Sequence, residues 1–564
     1  MRHFTYNKKK DEYIIHTEEL KNKLREVTGF SSLYSNSLNI SISHSELKLF
    51  WKLIKNNADS NVPLSKLNSF LEKLLKDDID IYNNMLLENK ILYKNLIYYF
   101  EPNMKVLMFN EKTNSYIAGK IGNASYLEKY SYDDDTNKRS KKDPYKDQFN
   151  ISVEYILSNG RSFLDSTVLR YIYRTDIPLD LNDLPFLKLS DKQLNYFQKT
   201  NESCIKYLTG IHYLYMKGSI FNKCGNSFSF SGRIVVDEEY YARIDEDDDE
   251  EESELFEEVV IKEELDQDGN VTVKEMSKQE SLKKQNEDKV KGNEWRVFPY
   301  IGVYSLDHKV WGTAHASKFS NINFRDDAFN RVVMDYEKKQ LIKKVIEFGS
   351  NNNLKKLSQW DDIIEGKSGG LIFLLHGLPG LGKTLIAESS AELLNRPLIS
   401  ITAGQLGTES GEIEGYLGMY LKRAKRWNAI LLIDEADVFM EERDSDIERN
   451  ALVTIFLRML ERFDGILFLT TNRVSNIDVA IKSRMSIILG YNPFTKEERK
   501  QVWKNLINSN LIKLSEEDFN TLSELELNGR EIKHCIKMAI ATSEQGDLIG
   551  VDNIKNVLKY IKFN

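Results

Sequence analysis

The chain has only three cysteines in 564 residues, Cys204, Cys224 and Cys535. They are scattered, with neither a CxxC pair nor a metal-ligand spacing. That excludes a disulfide framework and a thiolate metal site, and points to buried small hydrophobes in a reducing compartment. No window reaches 18 apolar residues, so no membrane-spanning helix is expected. The first residues, MRHFTYNKKKDEYIIH, lack the apolar core of a secretory signal. They are also neither arginine-rich nor acid-free, as a transit peptide would be. The expectation is an intracellular chain, cytoplasmic, with the nucleus as the alternative. KRSKK at 138–142 is read as a surface loop, and a nuclear signal is its functional alternative. Residues 1–242 lack a catalytic triad or paired acids at a persuasive spacing.

Charge is unevenly spread. The formal net charge is −8, yet residues 245–266 hold 14 acids against one lysine, Lys262. The rest of the chain therefore carries a net charge of +5. A run such as DEDDDEEESE repels itself and builds no core, so 243–294 is expected to be an acidic, disordered linker. A docking strip for a basic partner is the functional alternative. Asp266-Gln267-Asp268-Gly269-Asn270 hints at a calcium loop, but its glycine stands fourth rather than sixth, so a turn is expected.

Chemistry is concentrated further along. The apolar run Leu371 to Leu375 stops at a glycine-rich turn that ends in Gly382-Lys383-Thr384 and opens into a helical pattern. This is G-x-x-x-x-G-K-[ST] in the strand-then-helix setting it needs. Gly377, Leu378, Pro379, Gly380, Leu381 and Gly382 form the turn. Its glycines let backbone N–H groups face phosphate oxygens, and the helix entered at Lys383, Thr384 and Leu385 adds its positive end. Lys383 is placed to reach the β- and γ-phosphates of ATP, and Thr384 to offer a hydroxyl to Mg²⁺.

Ala429 to Ile433 is a short, wholly apolar run, as a central parallel strand should be. It ends in Asp434, placed to hold Mg²⁺ through water, and Glu435, placed to orient or deprotonate the attacking water. The next apolar strand, Ile466 to Leu469, leads into Thr470-Thr471-Asn472-Arg473. Asn472 is expected to sense the γ-phosphate from a strand lying between the two motifs. Arg484 follows as a candidate arginine finger, and Arg530, after Asn528-Gly529, as a sensor-2 arginine acting in cis.

In this order, residues from about 323 to 564 resemble an AAA+ ATPase module. More narrowly, the chain resembles fungal-type AAA ATPases with an uncharacterised N-terminal region. Shared phrases include DEADVFMEERDSDIERNALVTIFLRMLE (434–461), GILFLTTNR (465–473), SGRIVVD (231–237) and YSLDHKVWG (304–312). The resemblance implies an α/β P-loop core with a parallel sheet at 323–492 and a C-terminal helical lid at 493–564. An α+β recognition region at 1–242 precedes them, and 295–322 is read as a connector. It also implies ATP and Mg²⁺ as cofactors and a ring-like homo-oligomer, expected to be a hexamer. Arg484 would then act on a neighbouring subunit's nucleotide.

Two departures qualify the resemblance. The segment AGQLGTESGEIEGYL (403–417) has no aromatic where a threading pore loop would carry one. Ser483-Arg484 also lacks a second, closely spaced arginine. Arg443 and Arg449 are read as solvated helix arginines, with a further trans contact as the alternative. The expected function is an ATP-driven remodeller of a macromolecule, a protein, bound by the N-terminal region. The alternative is an ATP-controlled assembly scaffold or switch. A nucleic-acid motor ranks last, because the charge outside the acidic run is modest and no base-stacking motif stands out.

Overall fold

The computed structural model describes residues 3–28, 39–43, 47, 51–58, 62–127, 130–133, 138–142, 147–243, 259–265, 271–350, 370–407, 409–440, 447–473, 477–507, 512–543 and 549–560. They fall into two compact units, 1–305 with 309–320, and 306–308 with 321–564.

The first unit is α+β. A three-stranded antiparallel sheet (Phe4–Asn7, Glu12–Ile15, Ile40–Ser43) shares one core with helices and with a five-stranded antiparallel sheet. Alternation shows why Gln148–Ser158 forms a long strand: Phe149, Ile151 and Val153 point inward in every second position, all fully buried. The aromatics Tyr98 and Phe100 are buried in this core.

In another sheet of this unit, His212–Phe221 and Ser227–Val236 pair with each other. Each also pairs with one strand of the hairpin Tyr300–Ser305 and Val310–His315. Four strands thereby form a closed circuit, a small barrel, with Phe319–Ser320 joined to His212–Phe221 as a fifth. The hairpin comes from 295–322, the stretch expected to be a connector.

The acidic stretch is also more structured than a disordered linker at its C-terminal end. Residues 244–258 and 266–270 lie outside the described residues, and with them most of the acidic run and the Asp266–Asn270 turn. Val259–Leu265 and Val271–Ser277 pair antiparallel, and Lys278–Val290 is a helix. The helix is anchored: Asn286 accepts from the Phe163 N–H at 3.1 Å and donates to the Arg161 carbonyl at 2.9 Å, and Val290 is buried. Lys138–Lys142, expected to be a loop, is a strand paired with Tyr130–Asp133.

The second unit is an α/β module. Five parallel strands run in the order Leu398–Thr402, Ile430–Asp434, Ile466–Thr471, Leu371–Gly377, Ile487–Tyr491. The inner strands are covered on both faces, which explains their continuous apolar runs. Phe373 and Phe468 stack across them at 4.7 Å. Four helices follow, Lys496–Leu506, Glu516–Ser523, Gly529–Thr542 and Val551–Tyr560, around the fully buried Trp503. Three of them begin with reciprocal capping boxes: Thr495 with Glu498, Ser515 with Asp518, and Asn528 with Glu531.

Among the described residues no helix is long and apolar enough to cross a membrane. Cys204 and Cys535 are buried free thiols, and burial pushes them up to about 12 and about 11. They are unreactive core residues, as their scatter suggests, whereas Cys224, expected to be buried with them, is exposed in the turn between His212–Phe221 and Ser227–Val236.

Candidate active site

The order of the parallel strands builds the site. Ile466–Thr471 lies between Leu371–Gly377 and Ile430–Asp434, so the carboxyl ends of all three meet at one edge. Ligands of open α/β sheets bind at such an edge. The turn after Leu371–Gly377 depends on glycine at two points. Gly377 has φ +144, and a Cβ there would stand 2.5 Å from the Tyr491 carbonyl oxygen. Gly380 has φ +80, and its Cβ would stand 2.4 Å from Asn528 Oδ1. Both need a residue without a side chain.

Lys383 opens the helix Lys383–Leu394 and is buried. Its ammonium donates to the Gly377 carbonyl at 2.7 Å, the Leu378 carbonyl at 2.9 Å and Asn472 Oδ1 at 2.8 Å. Burial pulls its pKa below the ordinary lysine range; Asp434 and Asp437 oppose that shift and Arg530 adds to it. Thr384 donates to Asp434, with both carboxylate oxygens at 3.4 Å. Glu435 is exposed one residue past the strand, with φ +56, a conformation sparsely used by residues with a Cβ.

The lid reaches the same turn. Asn528 caps Gly529–Thr542, accepting from Glu531 N at 3.0 Å, while its own N–H donates to Glu531 Oε2 at 2.7 Å. The Gly529 N–H donates to the Gly380 carbonyl at 3.0 Å. That bond sets Arg530, the next residue, against the cavity.

A cavity of about 600 Å³ results. Pro379, Gly380, Leu381, Gly382, Lys383, Thr384 and Leu385 line it, as do Asp434, Glu435, Asn472 and Arg530. Gly377 and Leu378 take part through the carbonyls that receive Lys383. Arg484 does not reach the cavity. Its guanidinium pairs with Glu461, with Nε at 2.9 Å from Oε1, and donates to the Ala480 carbonyl at 2.8 Å. Arg443 lies outside the described residues.

Several contributors escape a motif reading. Arg325, Val332 and Val333 precede the P-loop strand, and Phe494 and Asn505 belong to the lid side, yet all line the cavity. No local pattern marks them. Asn528 and Thr470 left a signal, the N-x-x-E capping box and a pair of threonines closing an apolar strand.

This geometry fits the comparisons with known proteins. A model of the ATPase family associated with various cellular activities (AAA) matches residues 373–492. This stretch is an AAA+ ATPase domain. A mitochondrial Lon protease homolog of Scheffersomyces stipitis is 34% identical over 164 residues, 25% of this chain and 15% of that protein. One of Debaryomyces hansenii is 30% identical over 234 residues, 37% of this chain and 19% of that protein. The ATPase family AAA domain-containing protein FIGL1 of Arabidopsis thaliana is 32% identical over 193 residues, 32% of this chain and 28% of that protein. The chain thus spans only a minor part of the length of these relatives. A chain of the E. coli MS115-1 HORMA:CdnC:Trip13 complex is 19% identical with a TM-score of 0.34, covering 43% of this chain and 95% of that one. The AAA match thus falls on the P-loop module, which the α+β unit precedes in the chain.

Proposed function

We propose that the chain is an oligomeric, Mg²⁺-dependent ATPase that uses ATP hydrolysis to remodel a protein bound by its N-terminal region. The observation that carries this reading is the gathering of Lys383, Thr384, Asp434, Glu435 and Asn472 around one cavity. Lys383 and the N–H groups of the turn hold phosphates. Glu435 takes up the proton of the attacking water or orients it, Asn472 contacts the γ-phosphate, and Arg530 acts in cis from the lid. Thr384 and Asp434 bring a hydroxyl and a carboxylate together, an all-oxygen set that fits Mg²⁺. When bound, that ion would neutralise charge on the phosphate oxygens.

Arg484 acts on a neighbour's nucleotide in this reading. Its pairing with Glu461 and its distance from its own cavity are compatible with that role. Arg484→Ala is expected to leave the monomer's ATP affinity within about twofold and to lower turnover on the order of 10³-fold in the assembled state. Mixing it with excess Glu435→Gln subunits should restore part of the activity, since an Arg484 then serves an intact Glu435 next door. Normal turnover by Arg484→Ala alone would reject the trans role.

The nature of the mechanical step turns on Ala403–Tyr416. Gln405 to Gly415 carries no aromatic, and Tyr416 sits exposed on the helix Ser410–Arg426. Gln405 to Gly415 thus offers no aromatic face to grip a polypeptide. Docking and domain motion are therefore the favoured mode, and a nucleotide-controlled assembly switch is the second reading. The deciding experiment uses the full chain with Glu435→Gln, expected to hold ATP without turning it over. ATP-dependent capture of a protein that wild type releases on hydrolysis supports remodelling. Ring assembly that follows ATP with no such partner supports the switch.

A further inference from the structure

Thr470 is 1% exposed and stands two residues before Asn472, at the end of an apolar strand. It stands at the end of Ile466–Thr471, beside the two acids that close Ile430–Asp434. Its hydroxyl donates to Asp434 Oδ1 and accepts from the Glu435 N–H at 3.1 Å. Its carbonyl accepts from the Ala436 N–H at 2.9 Å. One residue thus holds the N–H groups on both sides of Glu435. Those two groups report the φ and ψ of Glu435, and Glu435 is the residue at φ +56.

We infer that Thr470 is a positioning residue for hydrolysis, holding Glu435 in its left-handed conformation and Asp434 in its rotamer so that the Glu435 carboxylate faces the attacking water. This rests on the ATPase reading above. A left-handed backbone at a residue with a Cβ persists only where its surroundings over-determine it. Nothing local in Asp434-Glu435-Ala436 does so, since none is glycine. The bonds from the neighbouring strand supply the constraint.

The hydroxyl acts through the acids and not on the substrate. It has one hydrogen, already donated to Asp434, so none is left for water or phosphate. Affinity for ATP comes from Lys383 and the backbone of the turn, which Thr470 does not contact. Its loss should therefore appear in turnover and leave binding alone. Misaligning a reacting group by about 1 Å costs on the order of 100-fold.

The test compares Thr470→Val, Thr470→Ser and Glu435→Gln in the full chain, with ATP affinity by calorimetry, steady-state turnover and thermal melting. Valine keeps the shape and removes the hydroxyl, whereas serine keeps the hydroxyl. The expected result is a kcat lowered on the order of 10- to 100-fold in Thr470→Val, with ATP affinity within about twofold of wild type. Thr470→Ser should return most of kcat. Equal losses in the valine and serine variants would overturn the proposal, because packing and not the hydroxyl would then matter. So would wild-type turnover by Thr470→Val beside an inactive Glu435→Gln, which leaves the ATPase reading standing. Unimpaired turnover by Glu435→Gln would instead reject the catalytic reading, and the role of Thr470 with it. If Thr470→Val melts early, Thr470→Ala, which adds no bulk, decides by the same comparison with serine.

Discussion

Lys383→Ala is expected to abolish ATP binding, whereas Glu435→Gln should bind ATP normally and lose turnover by on the order of 10²- to 10⁴-fold. The difference follows from where the two side chains sit. Lys383 is buried at the root of the turn, held by two of its carbonyls and by Asn472. Its charge stands where phosphates would lie, in surroundings that screen it little. Glu435 is exposed beyond the strand end and touches none of the groups that hold Lys383. Glutamine keeps its size and removes only the ability to accept a proton. Calorimetric affinity and phosphate release separate the two steps. Hydrolysis at the wild-type rate by Glu435→Gln would show that another group activates water.

The second large effect is expected at Gly380. Gly380→Ala should weaken ATP binding on the order of 10- to 100-fold and lower the melting temperature by a few degrees. Two penalties coincide there. At φ +80 a Cβ is strained, at a cost of about 1–3 kcal/mol. The added carbon would also lie 2.4 Å from Asn528 Oδ1, the cap of the lid helix that bears Arg530. The turn must leave its phosphate-binding shape, or the helix end must withdraw and lose the 3.0 Å bond from Gly529 N to the Gly380 carbonyl. Either response lowers the share of molecules ready to bind. The double variant Gly380→Ala with Asn528→Gly distinguishes strain from collision. Glycine is a tolerated helix cap, costing only a few tenths of a kcal/mol, and it removes the side chain in the way. Partial recovery of affinity is expected, and no recovery would show that turn strain alone is responsible.

Sequence alone determined the parts whose physics is local. The turn at 377–384 was legible because a chain that passes from strand to helix through positive φ at Gly377, Gly380 and Gly382 needs glycine at those offsets. The central strands were legible because burial on both faces demands unbroken apolar runs, as in Leu371 to Leu375 and Ile430 to Ile433. What joins distant segments was decided by the tertiary structure alone. The strand between the two motifs was expected, but the 2.8 Å bond that Lys383 makes to Asn472 across it was not. Thr470 gains its place beside Glu435, and Asn528 its place against Gly380, from the same strand order and lid docking. Arg484 shows the converse, a motif position whose guanidinium turns to Glu461, away from its own cavity. In the N-terminal unit, the hairpin of 300–315 closes a barrel with 212–236 across the acidic stretch. A strand's alternation tells which face is buried but not which edge it will pair with, and that choice belongs to the whole chain.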